Sequence, residues 1–148
     1  MNVPERRIRI AKPDDISVVS AFDHEPTKNE RKEFIRRAVD NDNAYVLEQN
    51  RKVIAIGILE YTFFEHGFIS LVYVDPRDRR TGVGEMLLRY LVSECCTSKL
   101  FSSTNLTNLP MHALFAKLGF VVSGMIHNLD PKDPEVIYCK TLSVNPQA

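Results

Sequence analysis

The chain lacks an excess of either charge: across its 148 residues, 19 Lys and Arg stand against 19 Asp and Glu. A general polyanion binder needs a broad basic surplus, so bulk nucleic-acid binding is disfavoured while a small local phosphate site is not. No apolar run approaches the ~20 residues that span a bilayer. The first residues, Met1 to Arg7, are charged with no apolar stretch behind them, which does not fit a secretory signal. Cysteine is scarce. Cys95, Cys96 and Cys139 are odd in number and have no metal-ligand spacing, which points to free thiols in a reducing cytoplasm and to no metal site. Cys95 and Cys96 read as small hydrophobes packed within a helix. Repeats, low-complexity tracts and Gly/Ser linkers are also missing. What remains, 44% apolar and 26% charged residues, is an ordinary globule. Its length suits one domain over residues 1–142, with Ser143 to Ala148 as a disordered tail.

Hydrophobic periodicity divides the chain into short elements. Arg7 to Ala11 alternates as a strand, and Pro13-Asp14-Asp15 opens a helix with Ile16, Val19 and Phe22 on its apolar side. Thr27 to Glu30 has capping-box spacing before a helix carrying Phe34, Ile35, Ala38 and Val39. The basic residues between them (Arg31, Lys32, Arg36, Arg37) form a solvated face. Ala44 to Glu48, Val53 to Phe64 and Phe68 to Val74 read as a meander, with turns at Gln49 to Lys52 and Glu65 to Gly67. Gly82 to Lys99 is a helix by its spacing of Val83, Met86, Leu87, Tyr90 and Leu91. After a strand over Leu100 to Thr104, Asn108-Leu109-Pro110 starts a helix that Gly119 caps. Strands over Phe120 to His127 and Glu135 to Leu142 close the order β-α-α-β-β-β-α-β-α-β-β. This is an α/β (α+β) fold with a mixed, mostly antiparallel sheet of six to seven strands and about four helices.

One stretch carries chemistry. Val72 to Val74, then Asp75-Pro76-Arg77-Asp78-Arg79-Arg80-Thr81-Gly82-Val83-Gly84, places a strand, a basic loop and a helix start in succession. Glycines let backbone approach a ligand, and free amides at a helix start attract an anion. Arg77, Arg79 and Arg80 add charge, so the loop is either a phosphate cradle or a basic turn whose glycines serve packing. No Lys follows Gly82 or Gly84, so the stretch is not a Walker loop. Leu87 occupies the third glycine position of a dinucleotide fingerprint.

Arg79 to Gly84 resembles the Arg/Gln-x-x-Gly-x-Gly/Ala signature of the GNAT acetyltransferase superfamily, and Asn108 to Phe120 resembles that family's second element, Asn-x-x-Ala-x-x-x-Tyr-x-x-x-Gly-Phe. The resemblance implies a site for acetyl-coenzyme A where two parallel strands splay, here those ending near Val74 and Thr104. By position, Arg79, Arg80, Thr81, Gly82, Val83 and Gly84 hold the pyrophosphate, and the backbone of Val72, Tyr73 and Val74 pairs with the pantetheine arm. Asn108 matches a side chain that contacts the cofactor, and it also reads as a helix N-cap.

The resemblance further implies transfer of an acetyl group to a primary amine by direct attack in a ternary complex, and no Cys lies in either motif. The residues that commonly move protons in the family are replaced here: its Tyr by Phe115, one Glu by Ser103 and another by Phe68. Substitutes are Ser103 or Ser70 orienting a water, Glu60 or His66 as a remote base, and Tyr138 as donor; each also reads as a surface or packing residue. His112 reads as a helix-surface histidine. Asp130, Asp133 and Glu135 either attract a cationic acceptor or belong to a solvated turn. A small-molecule or peptide amine is the expected partner, with no nucleic acid or membrane; a homodimer is compatible with such folds. The competing reading is a non-catalytic module that binds or senses acyl-coenzyme A.

Overall fold

A computed structural model describes residues 3–24 and 28–143. Thr27, which begins the expected capping box, and residues 144–148 of the expected tail lie outside the described residues. The elements follow the expected order: β1 (Arg6–Ile10), α1 (Pro13–Phe22), α2 (Lys28–Asp40), β2 (Ala44–Gln49), β3 (Lys52–Phe63), β4 (His66–Val74), a 3-10 turn (Pro76–Asp78), α3 (Val83–Glu94), β5 (Lys99–Asn105), α4 (Leu109–Lys117), β6 (Val121–Ile126) and β7 (Glu135–Thr141). The strands form one mixed sheet in the order β1-β2-β3-β4-β5-β7-β6. β4 and β5 run parallel, whereas β1 with β2, β2 with β3, β5 with β7 and β6 with β7 run antiparallel.

The chain divides into two compact units, Met1–Leu59 with Leu71–Leu91 and Glu60–Ser70 with Val92–Ala148. In the first, Val19 and Phe22 of α1 and Ile35, Ala38 and Val39 of α2 join Val46, Ile56, Ile58 and Tyr73 in one apolar core. A charged clamp fixes the start of α1. Asp15 accepts the Lys12 amide at 2.7 Å and both Arg9 guanidinium nitrogens at 2.8 and 3.0 Å, while Arg9 also donates to Glu48 at 2.6 Å. Burial pushes the Asp15 carboxyl up, but Arg9 and the Lys12 amide hold it below its ordinary value. On α3, Leu87 and Leu91 are fully buried beside Gly57, where a Cβ would stand only 2.7 Å from Leu91 Cδ1.

The second unit is built around Phe115, Phe120 and Tyr138. The Phe115 ring lies 5.2 Å from that of Phe120 and 4.6 Å from that of Tyr138. Gly119 adopts φ +85° after α4. Its amide bonds to Ala116 O at 3.1 Å and the Phe120 amide to Phe115 O at 3.0 Å, the paired bonds of a Schellman cap.

Two expected boundaries are corrected by this unit. α3 ends at Glu94 rather than Lys99, so Cys95 and Cys96 follow the helix instead of packing within it, and Cys96 is exposed. The β3–β4 turn is made by Phe64 and Glu65 at φ 51° and 68°, and β4 already begins at His66. Both shifts have one cause. Gly67 is a close-approach position: a Cβ there would stand 2.6 Å from Cys95 Sγ. The Gly67 amide donates to Thr97 Oγ1 at 2.9 Å, and that hydroxyl donates to Lys99 O at 2.8 Å. The segment after α3 must unwind to make these contacts.

Gly67→Ala therefore destabilises the fold by about 1–3 kcal/mol through overpacking. Adding Cys95→Ala recovers part of that loss. Urea denaturation of the two variants and the parent measures both effects, and a double variant no more stable than Gly67→Ala would refute the contact.

Candidate functional site

The loop between β4 and α3 is organised by Asp75, whose side chain is 1% exposed. Its amide donates to Ile54 O at 2.7 Å and its carbonyl accepts the Asp78 amide at 2.8 Å, which closes the 3-10 turn. Its carboxylate accepts the Arg77 amide at 3.0 Å and the Arg77 guanidinium at 3.2 and 2.8 Å. Those bonds hold the Asp75 carboxyl below its ordinary value against the burial that opposes ionisation.

Beyond this anchor the chain turns sharply. Arg80 has φ 64° and Gly82 has φ +84°, and a Cβ at Gly82 would meet nothing within 4 Å. Thr81 Oγ1 donates to Asp78 O at 2.5 Å, and Arg6 donates to Thr81 O at 3.1 Å. α3 begins immediately afterwards, so its first amides lack intrahelical acceptors. Left-handed backbone, an open glycine and helix-start amides together fit a phosphate-bearing group.

The three loop arginines are not equivalent. Arg77 is committed to Asp75. Arg79 donates to Val74 O at 3.2 Å and lies 5.1 Å over the Tyr73 ring. Arg80 is exposed and has no hydrogen-bond or ion-pair partner among the described residues. Val72 and Val74, on the last stretch of β4, are partly exposed, while Tyr73 is buried and stacked on Phe22. The β4–β5 ladder runs from Gly67 opposite Leu100 to Ile69 opposite Ser102; β4 continues to Val74 and β5 to Asn105.

The second unit holds the remaining candidates. Ser103 donates to Glu135 Oε2 at 2.7 Å, joining two residues that sequence reasoning kept apart. Asp130 Oδ2 accepts from Asn105 at 2.8 Å, and Asp133 accepts from the Thr107 hydroxyl at 2.7 Å and its amide at 3.2 Å. The Leu106 amide donates to Pro134 O at 2.8 Å. The acidic loop is thus latched to the end of β5 while its tip stays exposed. Asn108 caps α4, its side chain accepting the Met111 amide at 3.3 Å. Glu60 is half-buried on β3.

His112 is not a free surface histidine. Its Nε2 lies 3.0 and 3.1 Å from the carbonyl oxygens of Asn105 and Leu106, and its Nδ1 lies 2.6 Å from the Tyr138 hydroxyl. Carbonyls only accept, so Nε2 carries a proton, and Nδ1 shares a hydrogen bond with the Tyr138 hydroxyl. Tyr138 is buried, and this bond ties β7 to α4. Neither the pair nor the Asp75 anchor follows from the motifs in the sequence. Asp before Pro and two residues before Arg is a turn signal that reveals the anchor; nothing local announces the His112–Tyr138 pair, whose members are 26 residues apart.

Comparison with known proteins identifies the class. Residues 11–120 match the acetyltransferase (GNAT) family, and the chain belongs to that family, whose donor is acetyl-coenzyme A. A GNAT-family acetyltransferase from Bacillus cereus is 30% identical with a TM-score of 0.86, covering 94% of this chain and 99% of its own. The ribosomal-protein-S18-alanine N-acetyltransferase of Escherichia coli shares the fold at 19% identity and TM-score 0.80, covering 95% and 96%. So does YncA of Salmonella typhimurium, solved with its cofactor acetyl-CoA, at 18% identity and TM-score 0.75, covering 95% and 96%. A comparison with curated proteins finds no match. No helix among the described residues is long and apolar enough to cross a membrane.

Replacing Asp75 with Asn removes the charged acceptor of Arg77. We expect a loss of about 1–3 kcal/mol at neutral pH. The folded carboxyl titrates below the ordinary value, so its contribution is full above ~4 and fades as the pH falls through the folded value. The gap between wild type and Asp75→Asn should therefore narrow below about pH 4. Urea midpoints across a pH series check this, and a gap independent of pH would contradict it.

Proposed function

We propose that the protein transfers the acetyl group of acetyl-coenzyme A to a primary amine by direct attack in a ternary complex. The carrying observation is the loop at Arg79–Gly84, with its left-handed Arg80 and Gly82 feeding the start of α3 in a chain of the GNAT family. The amides of Thr81, Gly82, Val83 and Gly84 hold the pyrophosphate, and the Arg80 guanidinium supplies the adjacent positive charge. The backbone of Val72, Tyr73 and Val74 pairs with the pantetheine arm as an added strand. Arg79 acts indirectly, holding the Val74 carbonyl.

The acceptor arrives as an ammonium because alkyl amines resemble Lys, with a pKa near ~10. It loses one proton before its nitrogen attacks the thioester carbonyl. The carbon–sulfur bond then breaks, the nitrogen gives up a second proton and the coenzyme A thiolate takes one. The products are the amide, free coenzyme A and one proton. Direct attack needs no acetyl-cysteine. The triple variant Cys95→Ser, Cys96→Ser, Cys139→Ser retains thiol release within about threefold of the parent; its loss with coenzyme A binding intact would point to a covalent route.

Gly82 gives the sharpest test of the cradle. Asn and Asp both tolerate left-handed φ, and no atom crowds a Cβ there. Gly82→Asp weakens acetyl-coenzyme A binding by about tenfold or more relative to Gly82→Asn, because only Asp places a negative charge against the pyrophosphate. Calorimetric titration measures the ratio, and equal affinities would remove the pyrophosphate from this loop. Phe115 is fully buried and has no hydroxyl to donate, which keeps a second reading open, a module that binds acyl-coenzyme A without turnover. Tight binding with no thiol release for any amine favours that reading.

A further inference from the structure

The second unit carries a cluster that the donor loop does not use. On β5, Phe101, Ser103 and Asn105 alternate onto one side of the sheet, and the register of β7 sets Cys139, Ile137 and Glu135 opposite them. Phe68 of β4 lies beside Phe101 in the parallel ladder. Alternation along β4 puts His66 and Ser70 on the same side as Phe68. Phe63 completes an aromatic shelf, its ring 4.9 Å from those of both Phe68 and Phe101, and the His66 ring is 6.1 Å from Phe101. One residue pair further along β5, Ser103 holds the Glu135 carboxylate at 2.7 Å.

Two features mark this side as a place where something binds. His66 Nδ1 and Ser70 Oγ are buried and lack a hydrogen-bond partner among the described residues. A buried polar atom left unpaired costs about 1–3 kcal/mol, so each is a group waiting for a ligand atom. The shelf itself is not sealed: Phe63, Phe68 and Phe101 are all partly exposed. Flat apolar rings, a carboxylate and unpaired polar atoms together fit a cation that carries an apolar arm.

We propose that this side of the second unit binds the acceptor, and that the acceptor is an arylalkyl primary amine. Its ring stacks on Phe63, Phe68 and Phe101, its ammonium pairs with Glu135, and Ser70 Oγ accepts an N–H hydrogen bond. Ser103 is the positioning residue, because its hydroxyl turns the Glu135 carboxylate back toward the shelf. This inference rests on the amine-acetylation reading for the acceptor's fate and on the second unit alone for its binding.

The test uses 2-phenylethylamine as probe and spermidine as the polar counterpart. Binding of each to the full chain is followed by ligand-observed NMR without donor, and turnover by thiol release with acetyl-coenzyme A. We expect 2-phenylethylamine to bind and to exceed spermidine in kcat/KM by about tenfold or more. Phe68→Ala and Glu135→Gln each weaken its binding by about tenfold, and Phe68→Leu, which preserves packing, weakens it less. Ser103→Ala raises KM more than it lowers kcat. Binding lost in Phe68→Ala and Glu135→Gln but without thiol release would keep this site and refute acetyl transfer. Thiol release with spermidine and no binding of 2-phenylethylamine would keep acetyl transfer and refute this site. Unchanged 2-phenylethylamine affinity in folded Phe68→Leu and Glu135→Gln would likewise overturn it.

Discussion

The donor loop depends on one buried carboxylate. Asp75 terminates β4, and everything its side chain and backbone can bond is spent locally: the amide on Ile54, the carbonyl on Asp78 and the carboxylate on Arg77. A charge that is 1% exposed is tolerable only when it is paired and hydrogen-bonded, so the position of Arg77 follows from the burial of Asp75. The 3-10 turn then aims the chain toward the left-handed Arg80 and Gly82, from which α3 starts. Tyr73, two residues before Asp75, braces the same turn. Its ring lies against Phe22 and beneath the guanidinium groups of Arg31 and Arg79, each 5.1 Å from the centroid.

That arrangement redistributes the charge seen in the sequence. Arg77, Arg79 and Arg80 look like one basic cluster when written in a line. In the folded chain the first neutralises Asp75, the second serves the Val74 carbonyl and the Tyr73 ring, and the third is exposed with no partner among the described residues. The acidic loop behaves in the same way. Asp130 and Asp133 hold the loop to Asn105 and Thr107, which leaves Glu135, steered by Ser103, as the carboxylate on the aromatic side. Only the Arg77–Asp75 pair cancels charge; Arg79, Asp130 and Asp133 are held by neutral groups and keep theirs, so these turns fix where the charge sits rather than remove it.

The fold was legible because its signals were periodic and local. Strand alternation, the apolar stripe of α3, the Pro13 start of α1 and the Gly119 cap each have a short-range cause. The errors fell where a residue type has two uses. In the sequence Gly67 reads as turn chemistry, yet it is small because Cys95 and Thr97 pack against it, and the turn is made by Phe64 and Glu65, of which Phe64 is a poor residue for positive φ. The apolar spacing of α3 ran on past Glu94 because hydrophobic periodicity cannot register that Thr97 is needed by the Gly67 amide. The left-handed loop before α3 is legible from its glycines; the Ser103–Glu135 and His112–Tyr138 pairs are not, since only the β5–β7 register and the packing of α4 bring them together.

Position 115 shows why a missing residue type need not leave a hole in the chemistry available nearby. The phenol absent at Phe115 is present one ring away, on Tyr138, whose ring sits 4.6 Å from the Phe115 ring. The exchange is not free. Phe115 is fully buried, so a hydroxyl there would need its own partner, whereas Tyr138 already has one in His112. His112 in turn is fixed by two carbonyls at the end of β5, the segment to which the acidic loop is also latched. The Tyr138–His112 bond thus belongs to a chain of bonds reaching from β7 through α4 to the end of β5, where the acidic loop is also held.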